Sequence, residues 1–349
     1  MAYTTIPKST DYFNTKLYTG NGSTNAITGV GHAPDFTWIK SRGTAGENHY
    51  LFDKLRGVTK YIHSDTTAGE GTNSATLTTF GSDGFTVGAN NSVNKSSDPL
   101  VSWNWKGGTT SGIATNGSTQ ITPSSYSFNQ TSGFSIIRYT GIGGQPKTIP
   151  HGLGVQPKMF IIKRLNSTGS WGVLPQQIST GHLYLDAVSA LSTVNPLSGG
   201  VLADTVNFSV SNSGDVNASG GTYVAYCFAD VQGFSKFGSY IGNGNADGTF
   251  VYTGFKPALV IFKKTSGTGG WNMFDTKRDP FNVQDQILRA NGTNAEASDS
   301  GYSDNDFLSN GFKLRQTWGE MNGSGATYIY MAFAEEPLVS TNGIPATAR

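Results

Sequence analysis

The chain is 349 residues long, and Gly, Ser, Thr and Asn together supply 148 of them. Charged residues make up only 13%, with 24 Lys plus Arg against 23 Asp plus Glu, which argues against a general nucleic-acid binder and against a helical bundle. Aromatic residues at 12% argue as strongly against a disordered or collagen-like chain, so the composition reads as all-β with many turns.

The opening stretch, MAYTTIPKSTDYF, lacks the charged and apolar blocks of a signal peptide. No apolar run approaches the roughly 20 residues that span a bilayer, and Cys227, the single cysteine, can form no intramolecular disulfide. These features predict a protein made in a reducing cytoplasm and not inserted in a membrane.

From about residue 11 onward the chain repeats itself. The segment GHAPDFTWIKSR (31–42) recurs as GVQPKMFIIKR (154–164) and as GFKPALVIFKK (254–264), with offsets of 123 and 100 residues between the prolines. Upstream lie LYTG (17–20), RYTG (138–141) and SYIG (239–242), and each copy closes alike, in LVSWNWKGG (100–108), YVAYCFAD (223–230) and YIYMAFAE (328–335). Leu51-Phe52-Asp53 matches Met273-Phe274-Asp275, whereas the second copy has Val173-Leu174-Pro175.

Each copy reads as strands. Phe36, Trp38 and Lys40 alternate with Thr37 and Ile39, and Pro257 precedes a short apolar run, where its missing N–H does no harm. Asp83-Gly84 and Asn310-Gly311 between apolar stretches signal hairpins. The predicted fold is therefore three tandem β-sandwich domains, of jelly-roll or lectin-like kind and about 100 residues each. The predicted boundaries are a tail at 1–10, repeats at 11–108, 132–234 and 235–336, a Gly/Ser/Thr-rich linker at 109–131, and a tail at 337–349. Both tails are candidate docking strands. The join at 231–236 is short, so copies two and three are expected to pack closely.

The chemistry-bearing residues form no familiar constellation. The histidines at 32, 49, 63, 151 and 182 have no metal-ligand spacing, and most Asp residues sit in turn sequences. There is no GxSxG elbow, and the glycines at 141, 143 and 144 lack a following helix. No catalytic residue, cofactor or metal is expected. Trp103 and Trp105 share one strand face, and their counterparts Tyr226, Phe228, Met331 and Phe333 are also apolar, so that face reads as core, with Cys227 opposite. Asn94, Asn217 and Asn322 spell glycosylation sequons, yet their recurrence favours a tight loop with left-handed backbone.

Positions that differ between copies are the better binding candidates. Trp318 replaces small polar residues at a hairpin tip and is the first candidate for ligand contact. Trp171 and Trp271 occupy equivalent loops near Tyr50 of the first copy. All three are secondary candidates, and a structural role weighs more for the two Trp.

The full pattern, resting on YTGNG (18–22), PDFTWIK (34–40), SDGFTVG (82–88), YVAY (223–226), FAEEP (333–337) and GIPATAR (343–349), resembles a family of tailed-phage virion proteins. These are common in phages of marine cyanobacteria and related marine bacteria (cyanophage and pelagiphage types). They are usually described as tail-fibre-like or host-recognition proteins. The resemblance implies a non-enzymatic virion component, made in the host cytoplasm, that contacts other virion proteins and host surface glycan. By analogy with fibres it implies a homo-oligomer, a trimer. The alternatives are a capsid decoration or tail accessory protein and, more weakly, a polysaccharide depolymerase.

Overall fold

A computed structural model describes residues 3–144, 146–178, 181–298 and 301–347. The protein is all-β, with helix confined to single turns such as Asn91–Asn94 and Gly214–Asn217. Among the described residues no helix is long and apolar enough to cross a membrane.

Every copy builds one large antiparallel sheet on the same plan. In the first the order is Phe13–Thr19, Pro99–Trp105, Phe36–Ser41, Tyr50–Asp53. The second repeats it as Phe134–Thr140, Thr222–Phe228, Met159–Arg164, Gly172–Pro175, and the third as Ser235–Ile241, Thr327–Pro337, Phe255–Lys264, Trp271–Asp275. A small sheet faces each large one. In the third copy its order is Phe250–Tyr252, Gly311–Leu314, Asn305–Leu308. The two predicted hairpins are present, joining Leu77–Phe80 to Gly84–Val87 and Asn305–Leu308 to Gly311–Leu314. A Cβ at Gly311 would lie 2.0 Å from the Val251 carbonyl oxygen on the neighbouring strand, so only glycine fits there.

Side-chain alternation places two different cores on the two faces of each large sheet. Ile39, Phe52 and Leu100 point toward the small sheet of their own copy, with Ile27, Phe85 and Val93. On the opposite face, Phe36, Trp38, Trp103 and Trp105 join Ile161, Tyr226, Phe228, Ile261, Met331 and Phe333 in one cluster drawn from all three copies. Trp105, Phe228 and Phe333, equivalent residues of the three closing strands, meet at centroid distances of 5.4, 5.9 and 6.5 Å. The face that carries the Trp pair is thus core, but it is the core between copies.

The contacts between copies repeat cyclically. The backbone N–H of Glu70 donates to Leu165 O, that of Leu191 to Thr265 O and that of Glu296 to Arg42 O, at 2.8, 2.9 and 2.8 Å. Each bond joins a different pair of copies, so the ring closes. A string of separate domains with a linker at 109–131 does not describe this packing. Ser125–Asn129 within that stretch is a strand paired to Phe134–Thr140, and Ile121 is buried in the second copy's core. The N-terminal tail is packed, with Ile6 in the shared core, whereas the C-terminal tail is tied to the third copy through Leu338 N to Gly254 O, folds on itself where Val339 bridges Pro345, and is exposed at 341–345. Residues 1, 2, 348 and 349 of the predicted tails lie outside the described residues.

Asn94, Asn217 and Asn322 are fully buried, but none has left-handed backbone. That geometry belongs to the residues three positions on, Ser97, Gly220 and Gly325. The Asn side chains instead tie down the preceding glycine-rich loop. Asn322 Oδ1 accepts from Asn243 N at 3.0 Å, while its Nδ2 donates to Asn245 O at 2.8 Å and Gln316 O at 2.7 Å.

Candidate functional site

The four aromatic residues singled out by the sequence stand in separate places, and three are buried, Trp171 and Trp271 completely. Trp171 and Trp271 are 0% and 1% exposed. Their indole N–H groups donate across the joints to neighbouring copies, Trp171 to His63 O at 2.7 Å and Trp271 to Tyr184 O at 2.8 Å. Sheet register makes His49 the true equivalent of these Trp, since Leu51, Val173 and Met273 occupy matching places. His49 accepts from Trp38 Nε1 through Nδ1, so its Nε2 carries the proton and donates to Arg289 O at 3.0 Å, closing the same ring. Tyr50 faces the first copy's own core, its ring 4.4 Å from that of His63. Burial thus corrects the expectation of ligand contact at Trp171, Trp271 and Tyr50. Trp318 is half-buried against the third core, with the Arg289 guanidinium 5.5 Å from its ring centre.

The joints carry buried charge. Lys40, Lys163 and Lys263 hold one equivalent position and are all buried. Each ammonium reaches a carbonyl of the neighbouring copy, Lys163 to Thr67 O at 3.0 Å and Lys263 to Val188 O at 3.1 Å, with Lys40 3.5 Å from Thr293 O. Burial lowers the pKa of all three to about 8. At the joint of copies one and two, Arg56 Nε bonds Asp53 at 2.5 Å, Glu70 lies 3.6 Å from Nη1, and the Tyr226 hydroxyl donates to Asp53 at 2.8 Å. At the joint of copies one and three the same roles fall to Arg278, Asp275, Glu296 and Trp103. At the third joint the equivalents are Pro175, Ile178, Leu191 and Met331, and the whole charged set has been exchanged for apolar side chains. Among the described residues no group of three or more His, Cys, Asp or Glu could hold a metal ion.

The surface breaks the likeness of the copies at one place that sequence reasoning missed. On the outward face of the third copy's small sheet, Phe250 is 44% and Tyr252 54% exposed, while Val251 between them points inward. The matching strand positions are Ala26 and Thr28 in the first copy, and Thr148 and Pro150 in the second. Gln284 bridges Asn305 at the other edge of this sheet, and close by in the chain Phe281 is 74% exposed and Val283 is exposed too. Beside Tyr252 opens a cleft of about 280 Å³ lined by Tyr3, Asp230, Lys236 and Thr253. The Tyr3 hydroxyl donates to Gly254 O at 2.7 Å and lies 3.3 Å from that of Tyr252. Lys236 pairs with Asp230 at 3.1 Å. Exposed aromatic rings beside hydroxyl and charged groups can stack on and hydrogen-bond a polyhydroxylated ligand.

These features define an all-β protein of three chained copies around one core, with an aromatic outer face on one copy alone. The chain belongs to the family described as "Domain of unknown function (DUF7483)", whose model matches residues 8–337 and so spans all three copies. No curated protein and no solved structure matches it.

Proposed function

We propose that this chain is a non-enzymatic structural protein of a tailed-phage virion, a tail-fibre-like component that recognises host surface glycan. Its three copies are read as β-sandwich units of lectin-like kind, and the third makes the contact. The observation that carries this reading is the pair of exposed rings, Phe250 and Tyr252, on the outward face of the third copy's small sheet, with Phe281 exposed close to that sheet's other edge. A scaffold residue has no reason to be aromatic and exposed in one copy where the others carry Ala, Thr or Pro, whereas a contact residue has. Many copies per virion would multiply a weak site into firm attachment.

A second reading, a capsid decoration or tail accessory protein, is favoured by the closed ring of copies, which suits a position of local threefold symmetry on a shell. Purified protein incubated with host envelopes and a glycan array separates the readings. The first expects saturable binding that Tyr252→Ala and Phe281→Ala abolish. Absence of binding to either, together with tight association to purified capsids, favours the second. Release of new reducing ends from the glycan would overturn the non-enzymatic assignment.

A further inference from the structure

The second copy opens a slot of about 790 Å³ beside its own core, lined by His182, Tyr184, Asn195, Leu197, Asn212 and Ser213 among others. In the other two copies large side chains stand at the matching positions. Sheet register puts Gly172 where the first copy has Tyr50 and the third Asn272. The pairings of Leu51 with Ile62, Val173 with Leu183 and Met273 with Leu288 then make His182 and Tyr184 the counterparts of Tyr61 and His63, and of Ile287 and Arg289. On the facing wall, the backbone N–H groups of the equivalent asparagines Asn94, Asn217 and Asn322 donate to Asn90 O, Ser213 O and Trp318 O. Ser213 therefore stands where the third copy has Trp318.

In the first copy the Tyr50 ring packs 4.9 Å from that of Tyr61 and 4.4 Å from that of His63. In the third, Trp318 packs against the core with the Arg289 guanidinium over its ring. In the second, glycine and serine replace both plugs. Leu197 covers Gly172, its Cδ1 2.7 Å from the place of a Cβ, and the slot stays open beside it. No charged side chain lines the slot. His182 is 4% exposed, and its Nδ1 has no hydrogen-bond partner among the described residues. Burial lowers the pKa of its imidazole against the opposing pull of Asp215, so at pH 7 the ring is neutral, with one N–H to donate and one nitrogen to accept.

We propose that this slot takes one neutral, polyhydroxylated ring, a single sugar residue, with His182 and the amides of Asn195 and Asn212 bonding its hydroxyls. A charged ligand would be desolvated there without a counter-charge. A purely apolar one would leave the imidazole and the amides unpaired. A sugar meets both demands, since one face of its ring is apolar enough to lie on Leu197 and Tyr184 while its rim carries hydroxyls. The slot belongs to the second copy and the aromatic face to the third, so either can fail without the other.

The probes are free glucose, galactose, mannose, rhamnose and N-acetylglucosamine, each titrated against the full-length protein by saturation-transfer-difference NMR. Saturable, millimolar binding of at least one is expected. Ser213→Trp, which installs the third copy's plug, abolishes it, and His182→Ala weakens it about tenfold or more. Thermal unfolding verifies that each variant is folded, and if Ser213→Trp is not, His182→Ala alone decides. Failure of every probe to bind the wild type overturns the proposal. So does binding that is equal in the wild type and in a folded Ser213→Trp or His182→Ala variant, which would place the sugar elsewhere on the molecule and leave the aromatic face of the third copy as its site.

Discussion

Lys40, Lys163 and Lys263 end the same apolar strand run in each copy, and each spends its ammonium on a carbonyl of the next copy. Burial lowers each pKa to about 8, against roughly 10.4 in an unfolded chain. Between those values the unfolded state binds more protons, so stability rises with pH over that window. The upper limit is set by buried tyrosines such as Tyr139 and Tyr240, whose pKa burial raises. Their contribution is lost as pH climbs past the ordinary tyrosine value of about 10. The urea midpoint is therefore expected to increase from pH 8 to about 9.5, and a flat or falling midpoint contradicts the buried-lysine account. Removing one hydroxyl is a sharper probe. Tyr226→Phe leaves Asp53 without its cross-joint donor and is expected to cost about 1–3 kcal/mol in denaturant unfolding. Ile137→Val, in the second copy's own core and remote from that carboxylate, is expected to cost about 0.5–1.5 kcal/mol for its lost methylene.

At the scale of elements, the three joints form an internal comparison of one site built two ways. Asp53 and Arg56 are buried and hydrogen-bonded, with the partly exposed Glu70 3.6 Å from Arg56, and the counterparts at the joint of copies two and three are Pro175, Ile178 and Leu191. Removing one member strands the others, so Asp53→Leu alone is expected to cost about 3–5 kcal/mol. Converting the whole set, with Arg56→Ile, Glu70→Leu and Tyr226→Met added, is expected to recover most of that loss in the same unfolding measurement. A quadruple variant less stable than the single one would contradict this. Asn322→Ala removes the bonds that fix the 243–245 loop and is expected to destabilise by about 2–4 kcal/mol, given several buried partners left unpaired. Much at this scale was legible in the sequence, including the strands, the hairpins and the departure of the second copy at Leu174-Pro175. The double-sided burial of the closing strands is legible in the sequence too. Tyr223 to Phe228 is an unbroken apolar run, the mark of a strand covered on both faces. Phe250 and Tyr252 were missed because two aromatics flanking a Val look like ordinary strand. Only alignment with Ala26, Thr28, Thr148 and Pro150 sets them apart.

The whole molecule is one body because the inner faces of three large sheets have no other cover. Trp105, Phe228 and Phe333 meet at its centre, and no single copy can bury them alone. Sequence could count the copies but not close the ring, since the bonds that join them use backbone carbonyls and equivalent positions far apart in the chain. A fragment carrying residues 235–347 alone exposes Ile261, Met331 and Phe333 and is expected to aggregate or bind hydrophobic dye. The most direct test of the shared core is differential scanning calorimetry of the intact chain. A single transition is expected, with calorimetric and van't Hoff enthalpies in agreement. A calorimetric enthalpy about three times the van't Hoff value would mean that the copies unfold independently and would contradict the shared core.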